Sequence, residues 1–205
     1  MSNPIILALS GKAGSGKGEV ATYLKSAYRG SNLLVTSFAK ALRREIHDEV
    51  QTISCDLMIP NREALEVLCI RMGVQYDPFA KPDQLNPYGK QRALQQLWGT
   101  EFRREKFSQT YWLDRVSEEI ASVNPDIVVI DDARFLNEMD WVKARGGYTV
   151  HIDRPDNNTG LRGAEAAHVS ENQLAEYKFD YEISNNGSLK QLHFRANATM
   201  HNILQ

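Results

Sequence analysis

Residues 11–18 read Gly-Lys-Ala-Gly-Ser-Gly-Lys-Gly, and this stretch decides the fold. An apolar run over residues 4–9 precedes it, and a stretch with helical character follows from Lys17 to about Tyr28. A glycine-rich turn between a strand and a helix points backbone N–H groups and the positive end of the helix dipole at an anion. The stretch therefore predicts a phosphate-binding loop for a nucleoside triphosphate or an equivalent polyphosphate.

The residue types within the loop match the chemistry of phosphate binding. Gly11, Gly14 and Gly16 let the backbone wrap closely around phosphate oxygens, and Lys17 can reach the β- and γ-phosphates. Gly18 stands where the general pattern has the Ser or Thr hydroxyl that binds Mg²⁺. Because glycine supplies no ligand, we expect the ion to be held by the phosphates, by water and by a carboxylate elsewhere.

Composition narrows the class of protein. The chain has 205 residues, 42% of them hydrophobic, and a net charge of −2, which suits one α/β domain and gives no general nucleic-acid footprint. Cys55 and Cys69 form no C-x-x-C pair, so we expect buried, reduced thiols. With no charged leader and no apolar run of membrane-spanning length, the sequence predicts a soluble, cytoplasmic protein without a membrane or nucleic-acid partner.

Strand and helix patterns alternate along the chain. The strands are predicted at residues 5–10, 33–37, 127–131, 148–153 and 181–184. The helices are predicted at residues 17–28, 39–51, 61–72, 88–107, 112–122, 135–144 and 188–203, with Ser188 as an N-cap and Gly146-Gly147 as a stop signal. This alternation predicts a doubly wound parallel sheet.

Two long segments interrupt the predicted sheet. Residues from about 53 to 123 show no good strand pattern, and indicate a helical insertion after the second strand. Residues 154–177 are polar and indicate a flap after the fourth strand. We therefore expect one domain over residues 1–205, whose core comprises 1–52, 124–153 and 178–205. This is the plan of small P-loop kinases, in which the insertion holds the phosphoryl acceptor and the flap closes to exclude water.

Charged residues after the third strand are candidates for the reaction. A carboxylate at Asp131 or Asp132 would hold Mg²⁺; successive strand residues point to opposite faces, so we expect one to face the nucleotide and the other to anchor the backbone. Arg134 could stabilise a transferring phosphoryl group or bind an acceptor phosphate, and its alternative role is a surface pair with Glu138. A phosphate monoester acceptor would need no general base, because its oxygen is already ionised.

Basic and aromatic residues are candidates for the acceptor site. The basic residues could bind an acceptor phosphate or form a solvated helix face; they are Lys40, Arg43, Arg44, Arg103, Arg104 and Lys106. The aromatic residues could stack on a base or lie in the core; they are Trp98, Phe102, Tyr111 and Trp112. In the flap, Arg154 and Arg162 could reach the triphosphate or stay in solvent. His168 has no accompanying set of metal ligands, and Ser170 is typical of an N-cap.

Several of these motifs together resemble one family. Residues 132–138, Asp-Ala-Arg-Phe-Leu-Asn-Glu, resemble the D-x-R-F-x-N-E segment of bacteriophage-type deoxynucleoside monophosphate kinases, and residues 11–18 resemble that family's G-K-x-x-S-G-K-[DG] loop. The other similar segments are Leu97-Trp98-Gly99-Thr100-Glu101, Tyr111-Trp112, Gly146-Gly147, His168-Val169-Ser170-Glu171 and Ile183-Ser184-Asn185-Asn186-Gly187-Ser188. The resemblance runs from about residue 5 to residue 190.

The resemblance implies an α/β P-loop kinase fold, with a five-stranded parallel sheet in the order 2-3-1-4-5, flanking helices, a helical acceptor-binding insertion and a polar lid. It implies transfer of the γ-phosphoryl group of ATP to a deoxynucleoside 5′-monophosphate, with Mg²⁺, in the host cytoplasm if the chain is viral. A homodimer is one expectation for its assembly.

The resemblance, taken together with the candidates named above, gives expected roles for individual residues. The catalytic residues are Lys17, Asp132 and Arg134, and the metal carboxylate is Asp132, with Asp131 as the alternative. The ATP-binding residues are Gly11, Lys12, Ala13, Gly14, Ser15, Gly16, Lys17, Gly18, Glu19, Arg154 and Arg162. The acceptor-binding residues are Phe38, Lys40, Arg43, Trp98, Gly99, Arg103, Trp112, Arg134 and Glu138.

Two other functions stay open at this point. Phosphomevalonate kinases of the animal type share the G-K-x-x-S-G-K loop and a D-x-R segment, although the aromatic insertion favours an acceptor with a nucleobase. A non-catalytic nucleotide-binding switch is the second alternative. The missing loop hydroxyl favours a switch mildly, and the basic insertion argues against it because a switch needs no acceptor pocket.

Overall fold

The first strand, β1 (Ile5–Ser10), lies at the centre of a five-stranded parallel sheet in a computed structural model of the chain, which describes residues 3–82, 86–155 and 173–205. The other strands of the sheet are β2 (Leu33–Thr36), β3 (Ile127–Ile130), β4 (Tyr148–Asp153) and β5 (Tyr181–Ser184). Their spatial order is β2-β3-β1-β4-β5 and every neighbouring pair is parallel, which confirms the predicted topology.

The central strands are apolar because both faces of a parallel sheet are covered. All four residues of β3 are buried, and so are residues 6–10 of β1. The register pairs Ile127 with both Ile5 and Leu33, so β3 and its two neighbours start at the same level. As a result, the residues that follow β1, β2 and β3 emerge at one edge of the sheet.

The helices lie close to their predicted positions. The α-helices of the described residues are α1 (Lys17–Ala27), α2 (Ala39–Leu57), α3 (Asn61–Arg71), α4 (Arg92–Gln96), α5 (Tyr111–Val123), α6 (Leu136–Ala144) and α7 (Leu189–Ile203). Ser188 caps α7 as predicted: its hydroxyl accepts a hydrogen bond from the Gln191 amide at 3.3 Å. None of these described helices combines the length and the apolar character that a membrane crossing requires.

Two helix predictions were wrong in detail. Helix α2 continues to Leu57 rather than ending at Gln51, because Ile53 extends the buried face begun by Leu42 and Ile46. The single helix predicted over residues 88–107 is instead a short α4 followed directly by a π-helical segment, Leu97–Glu105. A π-helix is rare and is often found at functional sites.

The chain divides into two compact units. The first contains residues 1–38 and 113–205, and includes the sheet with α1, α6 and α7. The second contains residues 39–112, where α2 packs against α3 and where the described residues form no strand. The second unit thus begins with the whole of α2, whereas the insertion was predicted to begin at about residue 53. Both cysteines of this unit are free thiols; Cys69 is buried as predicted, but the prediction was wrong for Cys55, which is exposed on α2.

Candidate active site

The phosphate-binding loop follows β1 in a conformation that depends on its glycines. Gly11 and Gly16 have φ values of +136° and +107°, which residues with a side chain rarely adopt. A Cβ on Gly11 would lie 2.4 Å from the carbonyl oxygen of Ile152, and a Cβ on Gly16 would lie 2.7 Å from Asn185 Nδ2. Asn185 Nδ2 also donates to the carbonyl of Ser15 at 2.8 Å, so the end of β5 holds the loop in place.

Lys17 lies folded back on the loop. Its Nζ donates to the carbonyl oxygens of Gly11 at 2.7 Å and of Lys12 at 3.0 Å, and the residue is only 9% exposed. The Ser15 hydroxyl is buried within the same loop and has no hydrogen-bond partner among the described residues. A buried hydroxyl without a partner costs free energy unless a ligand satisfies it, so the loop fits a phosphate oxygen at this position.

Three other residues predicted to bind ATP, Arg154, Glu19 and Gly18, differ in their contacts. Arg154 Nη1 donates to the carbonyl of Gly14 at 3.2 Å, which places this side chain at the loop. Glu19 Oε1 lies 2.8 Å from His193 Nε2 of α7, so its carboxylate joins α1 to α7. A Cβ on Gly18 would meet no atom within 4 Å. The space at this position therefore does not explain why the chain has a glycine where the general pattern has Ser or Thr.

Some predicted residues lie outside the part of the chain that the structure describes. They are Arg162, which was predicted to bind ATP, and His168, Ser170 and Glu171 of the predicted flap. The role predicted for Arg162 therefore stays a sequence-based prediction.

His151 of β4 is a residue near the loop that the sequence did not single out. Burial lowers the pKa of its imidazole, and the positive charges of Lys17 and Lys12 lower it further, although Asp153 and Glu182 act in the opposite direction. The imidazole therefore stays neutral near pH 7 and adds no positive charge to the loop.

The two carboxylates after β3 are both half-buried at the edge of the sheet that carries the loop. Asp132 Oδ1 accepts a hydrogen bond from the Phe38 amide at 2.7 Å, and the Asp131 amide donates to the Thr36 carbonyl at 3.1 Å. Asp132 thus carries the backbone-anchoring contact expected for one of the pair. The resemblance implies that Asp132 also holds the metal. One of its two carboxylate oxygens, Oδ1, already accepts the hydrogen bond from the Phe38 amide.

The described residues contain no group of three or more His, Cys, Asp or Glu side chains that could hold a metal ion. This absence does not argue against Mg²⁺, which usually keeps several waters and binds one or two carboxylates together with substrate phosphates. The pair Asp131 and Asp132 fits an ion held in that way.

Glu138 is buried, whereas the alternative prediction placed it in a surface pair with Arg134. Glu138 is 1% exposed, and its Oε2 accepts hydrogen bonds from the amides of Arg134 at 2.7 Å and Phe135 at 3.1 Å. These amides precede α6, so Glu138 satisfies donors at the start of that helix. The backbone at Arg134 is therefore fixed independently of the arginine side chain.

Among the other residues predicted to bind the acceptor, Phe38 of the first unit is buried, with its ring edge-on to Trp141 at 6.1 Å between centroids. In the second unit, Trp112 is 2% exposed and its indole N–H donates to the Gly99 carbonyl at 2.9 Å. A Cβ on Gly99 would lie 3.3 Å from Leu42, which explains the small residue at this position. Lys40 and Arg43 are half-buried on α2.

Trp98 and Arg103 meet at a carboxylate that the sequence analysis missed. Glu45 Oε2 accepts from Trp98 Nε1 at 3.0 Å and from Arg103 Nε at 2.7 Å, while Glu45 Oε1 accepts from the Tyr111 hydroxyl at 2.5 Å. Burial raises the pKa of Glu45, but the hydrogen bonds from Trp98, Tyr111 and Arg103 outweigh it and hold the pKa below its ordinary value. Glu45 is thus an ionised carboxylate that joins three predicted candidates.

Two glycine substitutions test the loop geometry. We expect Gly11→Ala to destabilise the protein by roughly 2–4 kcal/mol, because the new methyl group would meet the Ile152 carbonyl at a strained φ. The matched variant Gly18→Ala should stabilise it by up to about 1 kcal/mol, since the space is open and alanine favours a helix. Urea denaturation followed by circular dichroism measures both; equal effects would contradict this loop conformation.

The loop follows the central strand of a 2-3-1-4-5 parallel sheet, and the carboxylates follow the neighbouring strand, which together define a P-loop kinase. Within that class, the model of the deoxynucleotide monophosphate kinase family matches residues 83–195, more than half of the chain. The chain belongs to the deoxynucleotide monophosphate kinase family. The prediction of a phosphotransferase with a phosphate group as acceptor is thereby confirmed.

Individual relatives agree with the family match. A protein of Acanthamoeba polyphaga mimivirus, provisionally assigned as a deoxynucleotide monophosphate kinase, is 26% identical over 201 residues, which cover 92% of each chain. The deoxynucleotide monophosphate kinase of Enterobacteria phage T4 is 28% identical over 112 residues, which cover 53% of this chain and 44% of the phage protein. A crystal structure from Thermus thermophilus aligns over the whole of both chains with a TM-score of 0.50 at 19% identity, a likeness in fold alone.

Proposed function

We propose that the protein transfers the γ-phosphoryl group of ATP to a deoxynucleoside 5′-monophosphate, giving ADP and the deoxynucleoside diphosphate. The observation that carries this proposal is a fully formed phosphate-binding loop, with Lys17 buried inside it, in a chain of the deoxynucleotide monophosphate kinase family. The names of the mimivirus and T4 relatives support the deoxynucleotide acceptor.

The loop supplies the binding groups for the triphosphate. Its backbone amides and the N-terminus of α1 provide positive potential, and the Ser15 hydroxyl offers a further donor. Lys17 exchanges two carbonyl acceptors for phosphate oxygens when ATP binds, so its charge moves toward the β- and γ-phosphates without leaving the loop. Arg154 adds a second cation, which its bond to Gly14 places at the loop.

Positioning and neutralisation of charge account for the proposed chemistry. The acceptor phosphate has a second pKa of about 6, so its oxygen is ionised at neutral pH and attacks without a general base. Arg134 stabilises negative charge on the transferring group or orients the acceptor phosphate. Asp131 and Asp132 would hold Mg²⁺, which supplies charge neutralisation on the β- and γ-oxygens when it is bound. Lys40 and Arg43 are the proposed cations for the acceptor phosphate, and Arg103 is a further proposed acceptor-binding residue.

An assay of ADP release tests the proposal. The enzyme is incubated with ATP and Mg²⁺ and with each of the four deoxynucleoside monophosphates, each ribonucleotide counterpart or phosphomevalonate. We expect turnover to depend on at least one deoxynucleoside monophosphate. Turnover with phosphomevalonate alone would replace the proposal with the metabolite kinase, and ATP binding without turnover would replace it with the switch.

Two further predictions accompany this function. We propose that the protein acts in the cytoplasm, of a host cell if it is viral, because the named relatives come from a virus of amoebae and a bacteriophage. The homodimer stays a prediction from the sequence, and sedimentation velocity would test it.

A further inference from the structure

The guanidinium group of Arg103, in the second unit, is fixed by a hydrogen bond from its Nε atom. Its Nε donates to Glu45 Oε2 at 2.7 Å, and the two side chains keep 19% and 22% of their surface exposed. Neither Nη atom of Arg103 makes a hydrogen bond with any residue that the structure describes. A guanidinium group has five N–H donors, so four of them stay available to a ligand.

The carboxylate of Glu45, which pairs with Arg103, is itself held in place. Glu45 accepts from the indole of Trp98 and from the hydroxyl of Tyr111 in addition to Arg103, so both of its oxygens are engaged. Trp98 is 5% exposed, and a buried partner of this size leaves Glu45 little freedom to rotate. Glu45 therefore holds the Arg103 guanidinium in one orientation.

Aromatic rings surround the same guanidinium group. The Cζ atom of Arg103 lies 4.8 Å from the ring centre of Phe102, 4.9 Å from that of Phe107 and 5.3 Å from that of Tyr111. Of these rings, Phe107 is the most exposed, with 61% of the residue in solvent, whereas Phe102 and Tyr111 are half-buried. An exposed aromatic ring next to hydrogen-bond donors offers the two contacts that bind a nucleobase: stacking on its face and hydrogen bonds to its edge.

The charges of this cluster favour a nucleobase over a phosphate as its ligand. Glu45 neutralises Arg103, and a phosphate dianion bound to the Nη atoms would also be repelled by the carboxylate on the other side of the guanidinium. The carbonyl oxygens and ring nitrogens of a base carry no net charge, so they can accept hydrogen bonds from Arg103 without that repulsion. The ion pair thus favours a neutral acceptor.

We propose that Arg103 and Phe107 bind the nucleobase of the acceptor nucleotide, Phe107 by stacking and Arg103 by hydrogen bonds to the base edge, and that Glu45 is the positioning residue for Arg103. The proposal rests on the proposed function, because it assigns the base-recognition part of that function's acceptor site. It also gives Arg103, which was predicted only as an acceptor-binding residue, a defined chemical role.

The test separates base recognition from phosphate recognition. The KM for the best deoxynucleoside monophosphate is compared with the inhibition constant of 2-deoxyribose 5-phosphate, which has the sugar and the phosphate but no base. We expect Glu45→Gln and Phe107→Ala each to raise the KM about tenfold, which corresponds to about 1.4 kcal/mol of binding. Neither variant should change inhibition by the sugar phosphate, and Phe107→Trp should restore the KM because it restores a stacking ring.

Phe79→Ala is the matched control, since Phe79 is a 91% exposed phenylalanine of the same unit whose ring does not stack on any ring of the described part of this cluster. An unchanged KM in Phe107→Ala, or an equal loss of nucleotide and sugar-phosphate binding in both variants, would overturn the proposal. If Glu45→Gln does not fold, Phe107→Ala alone still tests base binding, because an exposed ring contributes little to the stability of the fold. A wild-type enzyme with no deoxynucleotide-dependent turnover would instead refute the proposed function itself.

Discussion

Lys17→Met is expected to lower kcat for phosphoryl transfer by roughly 10³-fold, in line with the loss of one preorganised positive group at a developing negative charge. Methionine keeps the length of the lysine stem but removes the ammonium group that donates to Gly11 and Lys12. The loop conformation should survive, because it depends on the glycines and on the contact from Asn185. Steady-state kinetics with saturating ATP and acceptor measure the loss.

The control for this variant is Lys25→Met. Lys25 lies in the last turn of the same helix, α1, and its side chain is exposed, so the change removes the same charge without touching the loop. Lys25→Met should keep wild-type kcat and KM values. Activity of Lys17→Met within tenfold of the wild type would show that Lys17 does not act on the transferred phosphoryl group.

Arg134→Ala is expected to lower kcat/KM for the acceptor by roughly 10²–10³-fold. An arginine that stabilises a transferring phosphoryl group contributes at least this much in related chemistry. The contacts from Glu138 to the amides of Arg134 and Phe135 use backbone atoms, so the alanine variant should keep the local fold. A fall in kcat would assign Arg134 to the transition state, and a rise in KM would assign it to the bound acceptor.

Arg115→Ala provides the comparison for Arg134. Arg115 is an exposed arginine of the same unit whose guanidinium pairs with Glu118 on the surface of α5 at 2.8 Å. Such a pair contributes little to stability, and the variant should behave as the wild type. If Arg134→Ala also left both kcat and KM unchanged, the role assigned to Arg134 would be wrong.

Local sequence signals predicted the parts of this molecule that depend on local chemistry. The strand before the loop, the glycines and Lys17 lie within a few residues of one another, and their geometry follows from residue type alone. The cap at Ser188 depends on Gln191, only three residues away, and it too was predicted. The apolar run of β3 identified an interior strand of the sheet, because a strand covered on both faces is apolar throughout.

Features that depend on distant partners could not be predicted in this way. Glu45 meets Trp98, Arg103 and Tyr111, which follow it by more than fifty residues, and nothing in its own neighbourhood marks it as their shared acceptor. The π-helical segment was predicted as α-helix because nine residues are too few for the apolar pattern to distinguish the two periods.

The alternation rule also failed to decide between Asp131 and Asp132. It applies only within a strand, and β3 ends at Ile130, so both carboxylates lie beyond the alternating backbone. Their roles depend instead on the turn that follows the strand, where Asp132 reaches the Phe38 amide. That contact joins segments far apart in sequence and becomes visible only in the folded chain.

The most direct test of the proposed phosphoryl transfer follows the transferred group itself. The protein is incubated with Mg²⁺, a deoxynucleoside monophosphate and ATP that is radiolabelled at the γ-phosphate, and the products are separated by chromatography. We expect labelled deoxynucleoside diphosphate in an amount equal to the ADP formed. Label found only in inorganic phosphate, or retained in ATP that is bound but not consumed, would contradict the proposed transfer.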